Sequence, residues 1–182
     1  MDAFESLIAT LLRRDGYWVE TSVKVTLTKE EKRAVARISL PRWELDVVAY
    51  KAATNEVLAI ECKSFIDSRG VVYNNGRFWS PGKKSAYKVF DEPVLRQVVL
   101  DGLRRQLVER GSCSEGVRVR LGLATGRVAR GTDRAALKEW FAREGWLLMD
   151  DLEIRRRLTE CVSCSYENDP ILVAAKVLIR EG

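Results

Sequence analysis

Residues 43–65 read WELDVVAYKAATNEVLAIECKSF, two β-rich runs on either side of the turn-forming segment KAATNE. This pattern predicts a β-hairpin, because β-branched and aromatic residues favour strands and Asn favours turns. If the turn centres on Thr54, residues whose numbers sum to about 107 or 108 face each other across the strands. Asp46 is therefore expected opposite Glu61 or Cys62.

Charged residues interrupt both apolar runs of this predicted hairpin. Glu61 and Lys63 share one face of the second strand, and Glu44 shares a face with Asp46 on the first. A charge in a buried sheet is costly unless it is paired or binds a cation. Two interpretations stay open: an exposed hairpin edge with a structural Glu61–Lys63 ion pair, or a site for a hard cation such as Mg²⁺.

The segments around the hairpin alternate between helical and extended patterns. Apolar spacing and capping residues predict helices at 3–16, 28–37, 91–111, 132–145, 150–158 and 169–181, and strands at 17–27, 117–126 and 146–150. The order predicts an α/β fold, with a central mixed β-sheet of about four to five strands flanked by helices. We expect a single domain over residues 1–182.

The composition excludes several kinds of chemistry. The chain has no histidine, so histidine triads, histidine general bases and histidine metal sites are excluded. CVSC at 161–164 is a lone CxxC without a second pair, which argues against a closed zinc site and leaves a disulfide or an incidental role open. No apolar run approaches the ~20 residues that span a bilayer, and we expect a cytoplasmic protein. The net charge of +5 is compatible with a polyanionic partner.

A basic and aromatic segment follows the hairpin at about 66–90. Its cations are Arg69, Arg77, Lys83, Lys84 and Lys88, and its aromatic residues are Tyr73, Phe78, Trp79 and Tyr87. Basic side chains bind phosphates and aromatic faces stack on exposed bases. We therefore predict nucleic-acid binding by Arg77, Trp79, Lys83, Lys84 and Lys88. In the alternative interpretation, Phe78 and Trp79 anchor the segment to the core and the lysines are merely solvated.

ELD at 44–46, followed by ECK at 61–63 on the next predicted strand, resembles the motif of the restriction-endonuclease-like PD-(D/E)XK nuclease superfamily. Glu5 on the preceding predicted helix fits the same pattern. The element order of residues 1–124 is similar to the superfamily core, whereas the C-terminal third matches it loosely. The usual Pro before the Asp is replaced here by Glu44 and Leu45.

The resemblance implies a role for each matching residue. Asp46 would be the principal ligand of Mg²⁺ or Mn²⁺, Glu61 the second ligand and the Cys62 carbonyl a third. Lys63 would position or activate the attacking water, and Glu5 would be an outer-shell or second-metal ligand. The implied function is metal-dependent hydrolysis of phosphodiester bonds in nucleic acid, with DNA as the expected substrate. The resemblance also makes a homodimer an expectation. The alternative is a nucleic-acid- or nucleotide-binding module that keeps the fold but does not cleave.

Overall fold

The computed structural model of the protein describes residues 2–37, 42–74, 76–79 and 86–179. Its helices are α1 (Ala3–Arg14), α2 (Lys29–Ala34), α3 (Lys88–Asp91), α4 (Pro93–Glu109), α5 (Gly131–Glu144), α6 (Asp151–Val162) and α7 (Pro170–Ile179). Its strands are β1 (Trp18–Thr26), β2 (Arg42–Lys51), β3 (Glu56–Lys63), β4 (Val72–Asn74), β5 (Arg77–Trp79), β6 (Arg118–Thr125) and β7 (Leu147–Met149).

A five-stranded mixed sheet lies at the centre of the molecule, in the order β1-β2-β3-β6-β7. The strands β1, β2 and β3 pair antiparallel, and β6 and β7 continue the sheet parallel to β3. The predicted α/β fold, a mixed sheet of four to five strands flanked by helices, is therefore confirmed. The short strands β4 and β5 form a separate hairpin inside the segment at 66–90.

Helices cover both faces of the sheet. On one face α1, α6 and α7 share a core cluster, to which Ile8 and Leu172 contribute. On the other face α4 packs through Leu103 against β1, β2 and β3, and α3 and α5 pack over β6 in a third cluster that is rich in aromatic rings. Because both faces are covered, β6 is buried continuously from Leu121 to Thr125, although its sequence suggests simple alternation.

Local sequence signals fix where several helices begin. Asp2 and Glu5 form a capping box at the start of α1, and Thr28 and Glu31 form another at the start of α2. The Asp169 carboxylate accepts from two N–H groups in the first turn of α7. These caps agree with the helix starts expected from the sequence. Across the described ranges, no helix is both long and apolar enough to cross a bilayer.

Candidate functional site

The hairpin of β2 and β3 brings Asp46 next to the end of β3. The ladder runs from Lys51 opposite Glu56 to Val47 opposite Ile60, the register expected from the sequence. One step further, the Cys62 N–H donates to the Asp46 Oδ2 atom at 2.7 Å. The carboxylate therefore takes over from the strand backbone as the hydrogen-bond acceptor and ties β2 to the end of β3.

The strand β2 changes its facing direction at Asp46. Val47 packs in the cluster on the α1 side and Leu45 packs in the cluster on the α4 side, although alternate residues of a regular strand share one face. On β1, next to this point, Ser22 has a left-handed φ of 54°. The local twist leaves Asp46 half-buried, with its carboxylate directed at the backbone of β3 rather than packed in either core.

Glu61 is a buried carboxylate with an incomplete set of partners. The residue is 9% exposed, its Oε2 atom lies 3.3 Å from the Lys63 Nζ atom, and its Oε1 atom has no hydrogen-bond partner among the described residues. Burial raises the pKa of Glu61 to about 7, and the Asp46 charge adds to the rise while Lys63 opposes it. Since β3 lies between β2 and β6, the exposed-edge interpretation is wrong, but the ion pair is present.

Trp43 and Arg37 also belong to this region, and no pattern in the sequence pointed to either. Trp43 packs against the cluster that contains Ala59, which shares a face of β3 with Glu61. An interaction with Trp43 works against the rise of the Glu61 pKa, although the Trp43 indole N–H has no hydrogen-bond partner among the described residues. The Arg37 guanidinium lies 5.6 Å from the centroid of the Trp43 ring. Its Nη2 atom donates to both carboxylate oxygens of Glu92, at 2.8 and 2.9 Å.

Cys62 and Glu5 lie on the α1 side of the sheet. Cys62 packs against the cluster that contains α1, and the pKa of its thiol is raised by burial and then by the charges of Asp46 and Glu5. The Glu5 carboxylate accepts from the Asp2 N–H at 3.2 Å as part of the capping box. Glu5 thus stabilises the start of α1, and its predicted catalytic role stays a prediction.

The fit of a metal ion depends on how many protein ligands are required. Within the described part of the chain, no group of three or more His, Cys, Asp or Glu residues could hold a metal ion. Asp46, Glu61 and Glu5 are therefore not assembled as a three-ligand centre. Mg²⁺ usually keeps several waters and binds through one or two carboxylates. Asp46 and Glu61 meet this smaller requirement, since one buried Glu61 oxygen has no partner in the described ranges. The Cys62 carbonyl lies between the two charged positions of β3.

Burial separates the aromatic residues of the 66–90 segment into those that anchor it to the core and one that is exposed, as the predicted nucleic-acid binding requires. Tyr73, Phe78 and Tyr87 are buried, and Phe78 stacks on Tyr87 with ring centroids 4.0 Å apart. Phe78 therefore anchors the segment. Trp79 is 52% exposed, and the Arg69 guanidinium lies 5.7 Å from its ring centroid.

The predicted basic residues of this segment have different environments. Arg77 is exposed at the start of β5, whereas Lys88 is half-buried at the start of α3. Lys83 and Lys84 lie outside the described residues. Arg77 and Trp79 are therefore the predicted nucleic-acid contacts that the structure describes as exposed.

The cysteines carry no cross-link. Cys62, Cys113, Cys161 and Cys164 are free thiols, with Cys161 buried and Cys164 exposed. Burial raises the pKa of Cys161, which makes this thiol less reactive than an activated redox cysteine. The CxxC at the end of α6 is therefore a pair of reduced cysteines in this structure.

Comparisons with known proteins do not identify a family. No protein-family model matches the chain, and no curated protein matches it. Among solved structures, the crystal structure of a protein of unknown function, AF1548, aligns with 98% of this chain and 70% of that chain. The two are 16% identical and superpose with a TM-score of 0.43. A similarity this distant carries no inference about function.

Proposed function

We propose that the chain is a metal-dependent nuclease that hydrolyses phosphodiester bonds in nucleic acid, with DNA as the expected substrate. One observation carries the proposal. The buried Glu61 carboxylate, beside Lys63 and next to the strand that holds Asp46, keeps one oxygen without a hydrogen-bond partner among the residues that the structure describes. A buried carboxylate with one cationic partner is costly, and a functional site accounts for that cost. The resemblance of ELD and ECK to the PD-(D/E)XK motif supports the same conclusion.

Each residue has a task that follows from its position. Asp46 and Glu61 would hold Mg²⁺ or Mn²⁺, which when bound supplies Lewis-acid chemistry and acidifies a bound water. Lys63, 3.3 Å from Glu61, would orient the attacking water or stabilise negative charge on the phosphate. The hydrogen bond from the Cys62 N–H holds the Asp46 carboxylate in place. Burial of Glu61 keeps bulk water away from one side of the site.

A non-cleaving module that binds nucleic acid is the second candidate. It is favoured by the use of Glu5 in the helix cap, since Glu5 was expected to supply an additional carboxylate to the site. Exposed Trp79 beside Arg69 would serve either function, because it offers an aromatic surface and a cation for nucleic acid.

Cleavage assays with matched variants test the proposal. The substrates are single-stranded, duplex, flapped and four-way DNA, and RNA, each with Mg²⁺, Mn²⁺ or EDTA. The test variants are Asp46→Asn, which keeps an oxygen to accept from the Cys62 N–H, and Lys63→Met. Asp67→Asn and Lys24→Met are the controls, because both residues are exposed. We expect metal-dependent cleavage that falls at least about 100-fold in the two test variants only.

The opposite outcome is equally well defined. Folded wild-type protein that binds nucleic acid but cuts none of the substrates with either metal would overturn the nuclease proposal and support the binding module. Cleavage that persists in Asp46→Asn would show that another site is responsible.

The cytoplasmic location and the homodimer also stay predictions. Light scattering after size-exclusion chromatography, with and without DNA, measures the mass of the assembly in solution. A mass of one chain under both conditions would contradict the homodimer.

A further inference from the structure

Three buried polar atoms without partners lie in one part of the molecule. They are the Arg37 Nη1, Trp43 Nε1 and Glu61 Oε1 atoms, and none has a hydrogen-bond partner in the described ranges. A buried polar group that lacks a partner costs about 1–3 kcal/mol. Two of the atoms are donors and one is an acceptor, and Trp43 packs on the face of the sheet that carries Glu61.

Contacts connect these groups in a single chain that starts at the surface. Glu92, at the N-terminus of α4, binds the Arg37 guanidinium through both of its carboxylate oxygens. The guanidinium lies over the Trp43 ring, which restricts how the indole can turn. Trp43 also packs against the cluster that contains Leu123, and Leu123 pairs with Glu61 across β3 and β6. The indole therefore lies on the Glu61 side of the sheet, and Lys63 binds the Glu61 Oε2 atom.

The backbone after α2 holds Arg37 in position for this contact. Ala36 has a left-handed φ of 52°, and the Arg37 N–H donates to the Lys32 carbonyl at 2.9 Å. The turn after α2 thus places the Arg37 guanidinium over the Trp43 ring. Trp43 itself is fixed on β2, where it pairs with Val25 of β1.

We propose that Trp43 is a positioning residue that orients the Glu61 carboxylate for a divalent cation, and that Arg37 and Glu92 hold its indole ring in place. The inference rests on the proposed function, because it assigns Glu61 as a metal ligand. The Lys63 ammonium binds one oxygen of the carboxylate, and the indole N–H on the same face of the sheet is the donor that would orient the other oxygen. Outer-shell partners of this kind orient metal ligands, and their loss typically weakens metal affinity about 10–100-fold.

The competing explanation is that Trp43 only fills space between the clusters on the α4 side of the sheet, where it also packs. Phenylalanine separates the two explanations, because it keeps most of the apolar ring and removes the N–H. Trp146 supplies a matched control. It also lies under a guanidinium, with the Arg96 Cζ atom 4.7 Å from its ring centroid, but it precedes β7, two strands away from β3.

The test measures Mn²⁺ affinity of the full chain by titration calorimetry, without nucleic acid. We expect Trp43→Phe to weaken Mn²⁺ binding about 10-fold or more and Trp146→Phe to leave it unchanged. Glu92→Gln is a second test variant at a half-exposed surface position, where folding is not at risk. It should weaken binding by less than about 10-fold, because loosening Arg37 disturbs the ring without removing the N–H itself.

The possible outcomes separate failure of the Trp43 positioning role from failure of the proposed metal site. Wild-type affinity in folded Trp43→Phe and in Glu92→Gln would overturn the positioning role and leave the metal site intact. No Mn²⁺ binding by folded wild-type protein would overturn the metal site, and the positioning role with it. If Trp43→Phe fails to fold, unchanged affinity in Glu92→Gln overturns the proposed support of the ring.

Discussion

Glu61 brings a carboxylate into the middle strand of a sheet that is covered on both faces. The position costs free energy, because burial removes water from the charge and, in the described part of the chain, Lys63 compensates only one of its oxygens. Glu56, on the same strand, is equally buried but binds Arg118 at 2.6 Å. At the scale of single residues, the difference between these two glutamates marks the site.

Replacing the Glu61 carboxylate should stabilise the metal-free fold. At about pH 8, above the raised pKa of Glu61 (about 7), Glu61→Gln removes a buried charge and should raise the free energy of unfolding by about 1–3 kcal/mol. Added Mg²⁺ should stabilise the wild type, because a ligand that binds the native state shifts the unfolding equilibrium, and should have no effect on Glu61→Gln. Urea unfolding with Mg²⁺ or EDTA measures both effects.

Glu56→Gln is the control for this experiment, because it breaks the ion pair with Arg118. We expect it to leave the stability unchanged or reduce it, with the Mg²⁺ response intact. A loss of stability in Glu61→Gln as large as a broken buried ion pair, about 3 kcal/mol, would contradict the view that Glu61 is strained without a metal.

For single helices and hairpins, the sequence predicts the features that depend on residues close together along the chain, such as caps and strand register. The hairpin register follows from its turn, so the closeness of Asp46 to Cys62 could be expected. The caps at Thr28 and Asp169 follow from residue type and spacing. Both depend on contacts between residues close in sequence or joined by a short turn, which local patterns report.

Other features depend on contacts between distant elements and left no local pattern. Arg37 reaches Trp43 only because the chain turns after α2, and Glu92, which binds Arg37, lies 55 residues further along, just before α4. The pattern of aromatic residues at 66–90 also could not show which rings anchor the segment. Phe78 is buried because it meets Tyr87 and Trp140, and Trp140 belongs to α5.

The edge strand β1 is protected by Gln106 of α4, a polar residue that reaches its open side. The Gln106 Oε1 atom accepts from the Thr26 N–H at 3.2 Å, and its Nε2 atom donates to the Lys24 carbonyl at 3.1 Å. Gln106→Ala should cost about 1–2 kcal/mol, the net value of two hydrogen bonds. Hydrogen exchange at the Thr26 amide should accelerate about 10-fold or more.

Gln97→Ala is the matched control, because Gln97 lies on the same helix and its amide donates to the neighbouring Asp101. Its loss should leave the exchange rate at Thr26 unchanged. Unchanged exchange in Gln106→Ala would contradict a protective role at the sheet edge.

Asp150 joins α5 to the start of α6 and makes the stability depend on pH. It is 1% exposed, caps α6 through the Glu153 N–H and binds Arg134 at 2.8 Å. Burial alone would raise the pKa of Asp150, but these hydrogen bonds and the charge of Lys138 outweigh burial and lower it. The stabilisation is therefore complete above the unfolded pKa and is lost as pH falls through the lower folded pKa.

Asp150→Asn tests this dependence while keeping a residue that caps helices well. At about pH 7 the substitution should cost about 3 kcal/mol, because it leaves Arg134 without one of its buried partners. The difference from the wild type should begin to shrink below about pH 4, where the unfolded chain takes up the proton first, and should disappear only below the lowered pKa of the folded state. Urea unfolding at several pH values measures it, and a difference that is the same at about pH 7 and pH 3 would contradict the assignment.

Across the molecule, Glu61 of the candidate site and the buried rings of the aromatic segment lie on the same face of the central sheet. Glu61 pairs with Leu123 of β6, and residues that pair across a sheet point to the same face. Leu123 belongs to the cluster that contains Phe78 and Tyr87. Phe78 and Tyr87 therefore lie on the Glu61 side of the sheet, and a nucleic acid bound to the adjacent Trp79 would approach the site from that face.

The exposed face of Trp79 should bind an unstacked base. Arg69 lies over the ring, so the pair offers a cation for phosphate and an aromatic surface for stacking. Trp79→Ala should weaken binding of single-stranded DNA about 5- to 100-fold, the value of one stacked base, and should change binding of blunt duplex much less. Fluorescence anisotropy at fixed salt measures both affinities, since phosphate contacts make them salt-dependent. Trp18→Ala is the control, because Trp18 is 80% exposed but outside the segment. Equal losses for both substrates, or the same loss in Trp18→Ala, would contradict base stacking at Trp79.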